Sequence, residues 1–250
     1  MKQYLQKTEM LDFEDQAIQQ LIKARTWHKH DEYDAIDEIY AFVRDEIVFG
    51  YNADDTIPAS QVLKDGYGQC NTKGTLLMAL LRAVGIPTRL HGFTIYNQLQ
   101  VGAIPKYLFK LAPEKIIHSW VEVYFNGKWV NLEGYILDKP YLSQVQQHFS
   151  SGCAAFSGYG VAVNCLRDTQ IDWFGEDTYI QKEGIADDFG IYAQPDTFYL
   201  TRGSNLRGAK KFLYRYVLRH LINSNVKRIR KHGIAQSLRD PSDIGAFVKS

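Results

Sequence analysis

Apolar residues near the start of the chain recur at helical spacing: Phe13, Ala17, Ile18, Leu21 and Ile22, then Tyr33, Ile36, Ile39, Tyr40, Val43 and Ile47 in a stretch that opens at Asp31. Such spacing gathers the apolar side chains on one stripe, so two amphipathic helices are predicted. Asp54, Asp55 and Pro58 mark a loop, and Gly66-Tyr67-Gly68 leads into a continuous apolar stretch, Leu76 to Val84, closed by Gly85-Ile86-Pro87. That stretch reads as a buried helix entered beside Cys70. Thr88 to Tyr96 alternates like a strand, and His118 to Phe125 and Lys128 to Tyr135 flank Asn126-Gly127, the dipeptide of a tight hairpin. Helices first and strands after predict an α+β fold, with N-terminal helices packed on an antiparallel sheet, rather than alternating β/α units.

The segment from Thr94 to Ile117, with Pro105 and Pro113, is longer than a strand connection needs and reads as either a lid over a site or a surface excursion. Beyond Pro140 short helical patches and loops lead to a long helix placed at about 206–223. Its apolar stripe is read as Leu206, Ala209, Leu213, Tyr216, Val217, His220 and Leu221. No repeat or linker divides the chain. We therefore expect a core over residues 1–140 and a C-terminal extension over 141–250 packed on it.

Charge sharpens the picture of that extension. The chain of 250 residues carries 29 Lys and Arg against 28 Asp and Glu, yet ten of the basic residues and none of the acidic ones lie between Arg202 and Lys231. We expect the helix to dock by its apolar stripe on the acidic main body, with the acidic run over residues 172–188 as either its counterpart or plain surface. A basic face of this kind also fits nucleic acid or an anionic membrane surface, the less favoured partners. Three cysteines, Cys70, Cys153 and Cys165, form an odd, sparse set that fits a reducing compartment, with Cys153 and Cys165 read as buried thiols. With no apolar signal segment near the start and no run of 18 apolar residues, a cytoplasmic location is expected.

Candidate chemistry centres on Cys70. It sits where the apolar helix begins, and the unpaired N–H groups and dipole of a helix start favour a thiolate. A helix end supplies only part of the stabilisation a thiol needs at neutral pH, so an imidazolium is required as well. The hairpin selects one. If Asn126-Gly127 forms a two-residue turn, paired residue numbers sum to 253, which sets Trp120 opposite Glu133 and His118 opposite Tyr135. His118 and Glu133 then share one face as diagonal neighbours, close enough for imidazole and carboxylate to hydrogen-bond. Asp138 would face away from His118 in that register, and only a bulge would bring it back. Cysteine, histidine and carboxylate together supply nucleophile, base and orienting group.

Gly68-Gln69-Cys70 with Gly74 following, Leu80 to Arg89, His118-Ser119-Trp120-Val121-Glu122-Val123, and Trp129-Val130-Asn131-Leu132-Glu133, in this order and spacing, resemble the transglutaminase-like superfamily of papain-fold cysteine enzymes over about residues 30 to 138. The resemblance implies a papain-like fold, Cys70 as nucleophile, His118 as base and Glu133 as carboxylate. It implies acyl chemistry through a thioester on peptide or isopeptide amides. The family usually has Asp at the position of Glu133, one methylene shorter with the same charge. Mammalian transglutaminases have an aromatic residue after the cysteine where Asn71 stands here, so a hydrolase or another acyltransferase is expected, with hydrolysis favoured over crosslinking. The oxyanion would be met by the Cys70 backbone N–H, with Tyr51 as a candidate second donor. Gly74 reads as a point of close strand-on-helix packing.

The glycines at 66 and 68 lack the third glycine of a dinucleotide loop, no phosphate loop occurs, and Cys153 and Cys165 lack companions of zinc spacing. Neither a cofactor nor a metal is expected. Two rival readings use the same residues differently: a non-catalytic module that binds protein or peptide in the same groove, and a nucleic-acid-binding protein that works through the basic helix.

Overall fold

The computed structural model describes residues 1–109, 112–149, 152–206 and 208–234. Helices α1 (Gln16–Arg25) and α2 (Glu32–Asp45) begin at Asp15 and Asp31, whose carboxylates accept from the N–H of Ala17 and Asp34. A short strand β1 (Val48–Phe49), helix α3 (Ala59–Asp65) and strand β2 (Tyr67–Gly68) follow, with β2 parallel to β1. Helix α4 (Cys70–Ala83) is buried along nearly its whole length, packed between α2 and the sheet. After β3 (Thr88–Tyr96) come the single turn α5 (Lys106–Phe109), then β4 (Lys115–Phe125) and β5 (Lys128–Leu132). The rest comprises α6 (Lys139–Phe149), β6 (Phe156–Gly158), β7 (Val161–Val163), β8 (Ile185–Tyr192) and α7 (Pro195–Arg202). A last helical run consists of α8 (Gly208–Leu213), a π-helical turn over Tyr214–Leu218 and α9 (Arg219–His232).

The main sheet has the order β5-β4-β3-β8 and is antiparallel throughout, so the fold is α+β. Asn126 and Gly127 both take positive φ, 48° and 81°, as a two-residue hairpin turn of the primed type requires. The ladder from Phe125↔Lys128 to Val121↔Leu132 keeps the expected register. β8, from the expected extension, is a strand of this same sheet, and the large apolar core runs from Met10 to Ile234.

Three expectations are corrected. The C-terminal helix runs to His232 instead of ending near 223, and the stripe turned inward is Tyr214, Leu218, Ile222, Val226 and Ile229. Leu213, Tyr216, Val217 and Leu221, read as the buried stripe, are exposed. Both sets recur at near-helical spacing, and the inward one carries the polar anchors: Asn223 bonds both the N–H and the C=O of Tyr51. Cys153 and Cys165 are not buried thiols: they are joined in a disulfide, and Cys153 is exposed. The cysteine count therefore lends no weight to a reducing compartment. The acidic run is not the partner of the basic helix either. Asp172 pairs with Arg44 and Lys139, while Lys211 and Arg215 reach Asp54 and Arg230 reaches Asp138. Among the described residues no helix is long and apolar enough to cross a membrane.

Lys73, on α4, is fully buried, with Nζ donating to the carbonyls of Arg44 and Ile136 at 3.0 Å each. Burial outweighs the nearby Asp138 and Asp45 charges and pulls the ammonium down to about 7. The unfolded chain keeps this proton to an ordinary lysine pKa, so stability rises as pH climbs from about 7 to about 10.5 and does not depend on this group below 7. The full effect is about 5 kcal/mol, the free-energy equivalent of that shift. Denaturant midpoints measured between pH 7 and 9 are expected to show this rise relative to Lys73→Met, in which it is absent.

Candidate active site

The chain enters the site through β2. Gly68 has no room for a side chain: a Cβ there would lie 2.7 Å from Thr72 Oγ1 and 2.9 Å from Lys73 Cγ. Gln69 caps α4 in a reciprocal box with Thr72, which starts the helix at Cys70. The backbone N–H groups of Asn71, on its own helix, and of Ser119, on β4, are the ones that favour the charged form of the Cys70 sulfur. Asn71 ties the two elements together. Its Nδ2 donates to the Ile117 carbonyl at 3.1 Å, and its Oδ1 accepts from Ser119 Oγ at 3.1 Å, so it grips both neighbours of His118. This side chain supplies the helix-to-strand contact that no spacing argument could give.

His118 is completely buried and packs on Phe93, its cross-strand partner, with ring centroids 4.8 Å apart. Its Nε2 lies 3.4 Å from Glu133 Oε1. A carboxylate only accepts, so Nε2 donates and Nδ1 carries the lone pair. Nδ1 is buried and has no hydrogen-bond partner. Glu133 is itself held by the N–H groups of Ile180 and Gln181, both 2.9 Å from Oε2. It reaches this position because β5 leaves the ladder after Leu132: the Glu133 N–H turns to the Thr178 carbonyl at 3.0 Å, and Trp120↔Glu133 is never formed. Asp138 belongs elsewhere, with its oxygens on Arg230 and on the N–H of Phe49 and Tyr141.

Gly74 lies one turn along α4. A Cβ there would stand 2.6 Å from Tyr135 Oη and 3.4 Å from Val121 Cγ2, so the glycine admits both β4 and the hydroxyl that donates to the Cys70 carbonyl at 3.2 Å. Tyr51 lies in the cavity that Cys70 lines, but its hydroxyl donates to Gln100. One polar neighbour, Asp55, carries no sequence signal beyond loop composition. Asp55 is held by Gln69, Asn71 and Asn205, and no cation offsets the burial that raises its carboxyl.

The electrostatics of the thiol run against the pull of the helix start. Burial pushes the Cys70 thiol well above its ordinary value, the Asp55 and Glu133 charges push the same way, and the two backbone N–H groups offset them only in part. This shift favours the neutral thiol over the thiolate. Its cavity is walled by residues of the 94–117 segment and roofed by the helical run from Tyr214. The roof is latched: Asp54 accepts from Lys211 at 2.6 Å and Arg215 at 3.0 Å, Tyr214 Oη donates to the Asn52 carbonyl, and Asn205 accepts from the Ile117 N–H. Asp54→Asn is expected to loosen this roof and raise the rate of Cys70 alkylation by iodoacetamide several-fold, followed by mass spectrometry of the tryptic peptide; an unchanged rate would leave the latch without a role in access.

Among the described residues one cluster has the donors of a metal site, Cys153, Cys165 and Asp168, but its sulfurs are bonded to each other.

Residues 19–134, which hold the three candidate residues, match the model of the transglutaminase-like superfamily. Two solved structures are similar to this chain. One, from Cytophaga hutchinsonii and described as a "putative cysteine protease", is 12% identical, with 77% of this chain and 47% of that chain covered and a TM-score of 0.44. The other, red sea bream transglutaminase, is 16% identical, with 91% and 41% covered and a TM-score of 0.34. The chain thus spans less than half the length of either. A comparison with curated proteins finds no match.

Proposed function

We propose that the protein is an enzyme that breaks peptide or isopeptide amides through a thioester on Cys70 and passes the acyl group to water. The observation that carries this reading is the arrangement around His118: Nε2 on a carboxylate fixed by two backbone N–H groups, Nδ1 unpaired, and Asn71, the residue after Cys70, bonded to the residues on both sides of it.

Because the thiol starts neutral, its proton leaves during attack. Sulfur bonds to the amide carbon while His118 Nδ1 takes the proton, and Glu133 opposite Nε2 steadies the imidazolium that results. The oxygen that gains charge meets the N–H groups at the start of α4, which have no partner inside the helix. Tyr51 is a second donor only if its hydroxyl leaves Gln100. Collapse breaks the carbon–nitrogen bond and the amine departs with the proton from Nδ1. Water then gives a proton to Nδ1 and attacks the thioester, releasing the acid and restoring the thiol.

Asn71 supports hydrolysis over crosslinking, since an amide spent on Asp55, Ile117 and Ser119 stands where the crosslinking enzymes have an aromatic ring. The buried neutral thiol favours a second reading, a binding groove that keeps the three residues for packing. The two part on a labelled amide substrate supplied with an excess of a primary amine. The enzyme reading expects free acid as the main product and none from Cys70→Ala, whereas a groove binds the amide unchanged.

A further inference from the structure

Cys70 lines a cavity of about 170 Å³ whose surface, among the described residues, is mostly hydrocarbon, with Asn52, Asp54, Asp55, Gln69, Asn71 and Asn205 among its polar lining. Ile95 closes it from β3, Ile104 and Leu108 from the segment before β4, Ile116 from β4 itself, and Leu218 and Ile222 from the helical roof. The polar groups on its surface cluster at the Cys70 end and at Lys210 and Lys211 on the roof, of which Lys210 is exposed. Those at the Cys70 end are engaged with one another: Asp55 with Gln69 and Asn71, and Tyr51 with Gln100. A peptide main chain lying in this space would find aliphatic carbon opposite its N–H and C=O groups, and an unpaired buried amide costs free energy. An alkyl chain would lose nothing there.

We propose that the acyl group transferred to Cys70 is an aliphatic one of about six to eight carbons, with its carbonyl at the sulfur and its chain in the cavity. This rests on the thioester chemistry proposed above and puts an aliphatic acyl group in place of the peptide one. The size follows from the volume, since a dry apolar cavity of about 150 Å³ holds a ligand as large as benzene. Each step balances: the sulfur–carbon bond forms as the bond from the acyl carbon to its nitrogen or oxygen breaks, the thiol proton leaves with the departing group by way of His118, and one water is consumed in releasing the fatty acid.

Para-nitrophenyl esters of acetic, butanoic, hexanoic and octanoic acid test it on the full chain, with Cys70→Ala subtracted. We expect kcat/KM to rise about fourfold per methylene up to six to eight carbons, the ratio that burying one CH2 gives, and a mass adduct of the acyl group on Cys70. Ile104→Trp, which fills the cavity, is expected to lower the octanoyl-to-acetyl ratio at least tenfold. A ratio that is flat or falls with chain length, while Cys70 still becomes acylated, overturns the chain-length inference and leaves thioester chemistry standing. Absence of any adduct on Cys70 with every ester and with amide substrates overturns both.

Discussion

Cys70→Ala is expected to abolish amide cleavage, a loss on the order of 10⁶ in kcat, and His118→Ala to lose nearly as much, because nucleophile and base act as one unit. Glu133→Gln is expected to lose on the order of 10⁴, the scale seen when the orienting carboxylate of such a triad is replaced. The intermediate cost has a structural reason. Glu133 does not touch the substrate carbonyl; it sets which imidazole nitrogen carries the proton, and its removal favours the tautomer in which Nδ1 is occupied. Glu133→Asp separates its two contacts. The two backbone bonds at 2.9 Å are shorter than the 3.4 Å contact to Nε2, so the shortened carboxylate is expected to stay on Ile180 and Gln181 and release the imidazole. Activity should then fall although the family usually carries Asp here. Steady-state rates on a chromogenic amide, with circular dichroism to confirm folding, check all four variants. Activity retained in Cys70→Ala would refute the account at once.

The second large effect concerns stability. Asp138 is fully buried and bonds Arg230 Nε at 2.9 Å and Nη2 at 2.8 Å, which fastens α9 to the loop after β5. Burial alone would raise its carboxyl, but Arg230, the Phe49 N–H and Lys73 outweigh that and hold it below the ordinary carboxylate range. Asp138→Ala leaves a guanidinium and two backbone N–H groups without their acceptor and is expected to cost about 3–5 kcal/mol. Because the folded pKa is the lower one, the contribution of Asp138 is complete above the unfolded value, about 4, and is lost as pH falls through the folded value. Denaturant unfolding at pH 7 and pH 3 should therefore show a large difference between wild type and variant at pH 7 and a smaller one at pH 3. An equal difference at both would mean that packing, rather than charge, holds the helix.

The local order of the site was legible because its determinants are local. Asn126-Gly127 admits one kind of turn, and that turn fixes the register as far as Leu132. Gln69 and Thr72 flank the position where a helix must begin. What escaped the sequence depends on partners far along the chain. Glu133 turns toward His118 after β5 has left its ladder for Thr178, and no hairpin parity anticipates a strand that stops pairing. Asn71, read as the absence of an aromatic ring, joins helix to strand on both sides of His118. The last helix misled in a different way. It carries apolar residues on two faces, periodicity cannot say which one the core takes, and the answer lies with Asn223, Tyr214 and Arg230, which hold Tyr51, Asn52 and Asp138. The pairing of Cys153 with Cys165 likewise follows from a backbone path that spacing does not describe.

The account turns on whether the sulfur of Cys70 takes up an acyl group and His118 is needed to transfer it. Intact-protein mass spectrometry of samples acid-quenched within seconds of adding an ester or amide measures this directly. We predict an added mass equal to the acyl group, located on the Cys70 peptide, absent from Cys70→Ala and formed far more slowly in His118→Ala. Unmodified protein throughout, or an adduct that forms at the same rate in His118→Ala, would contradict it.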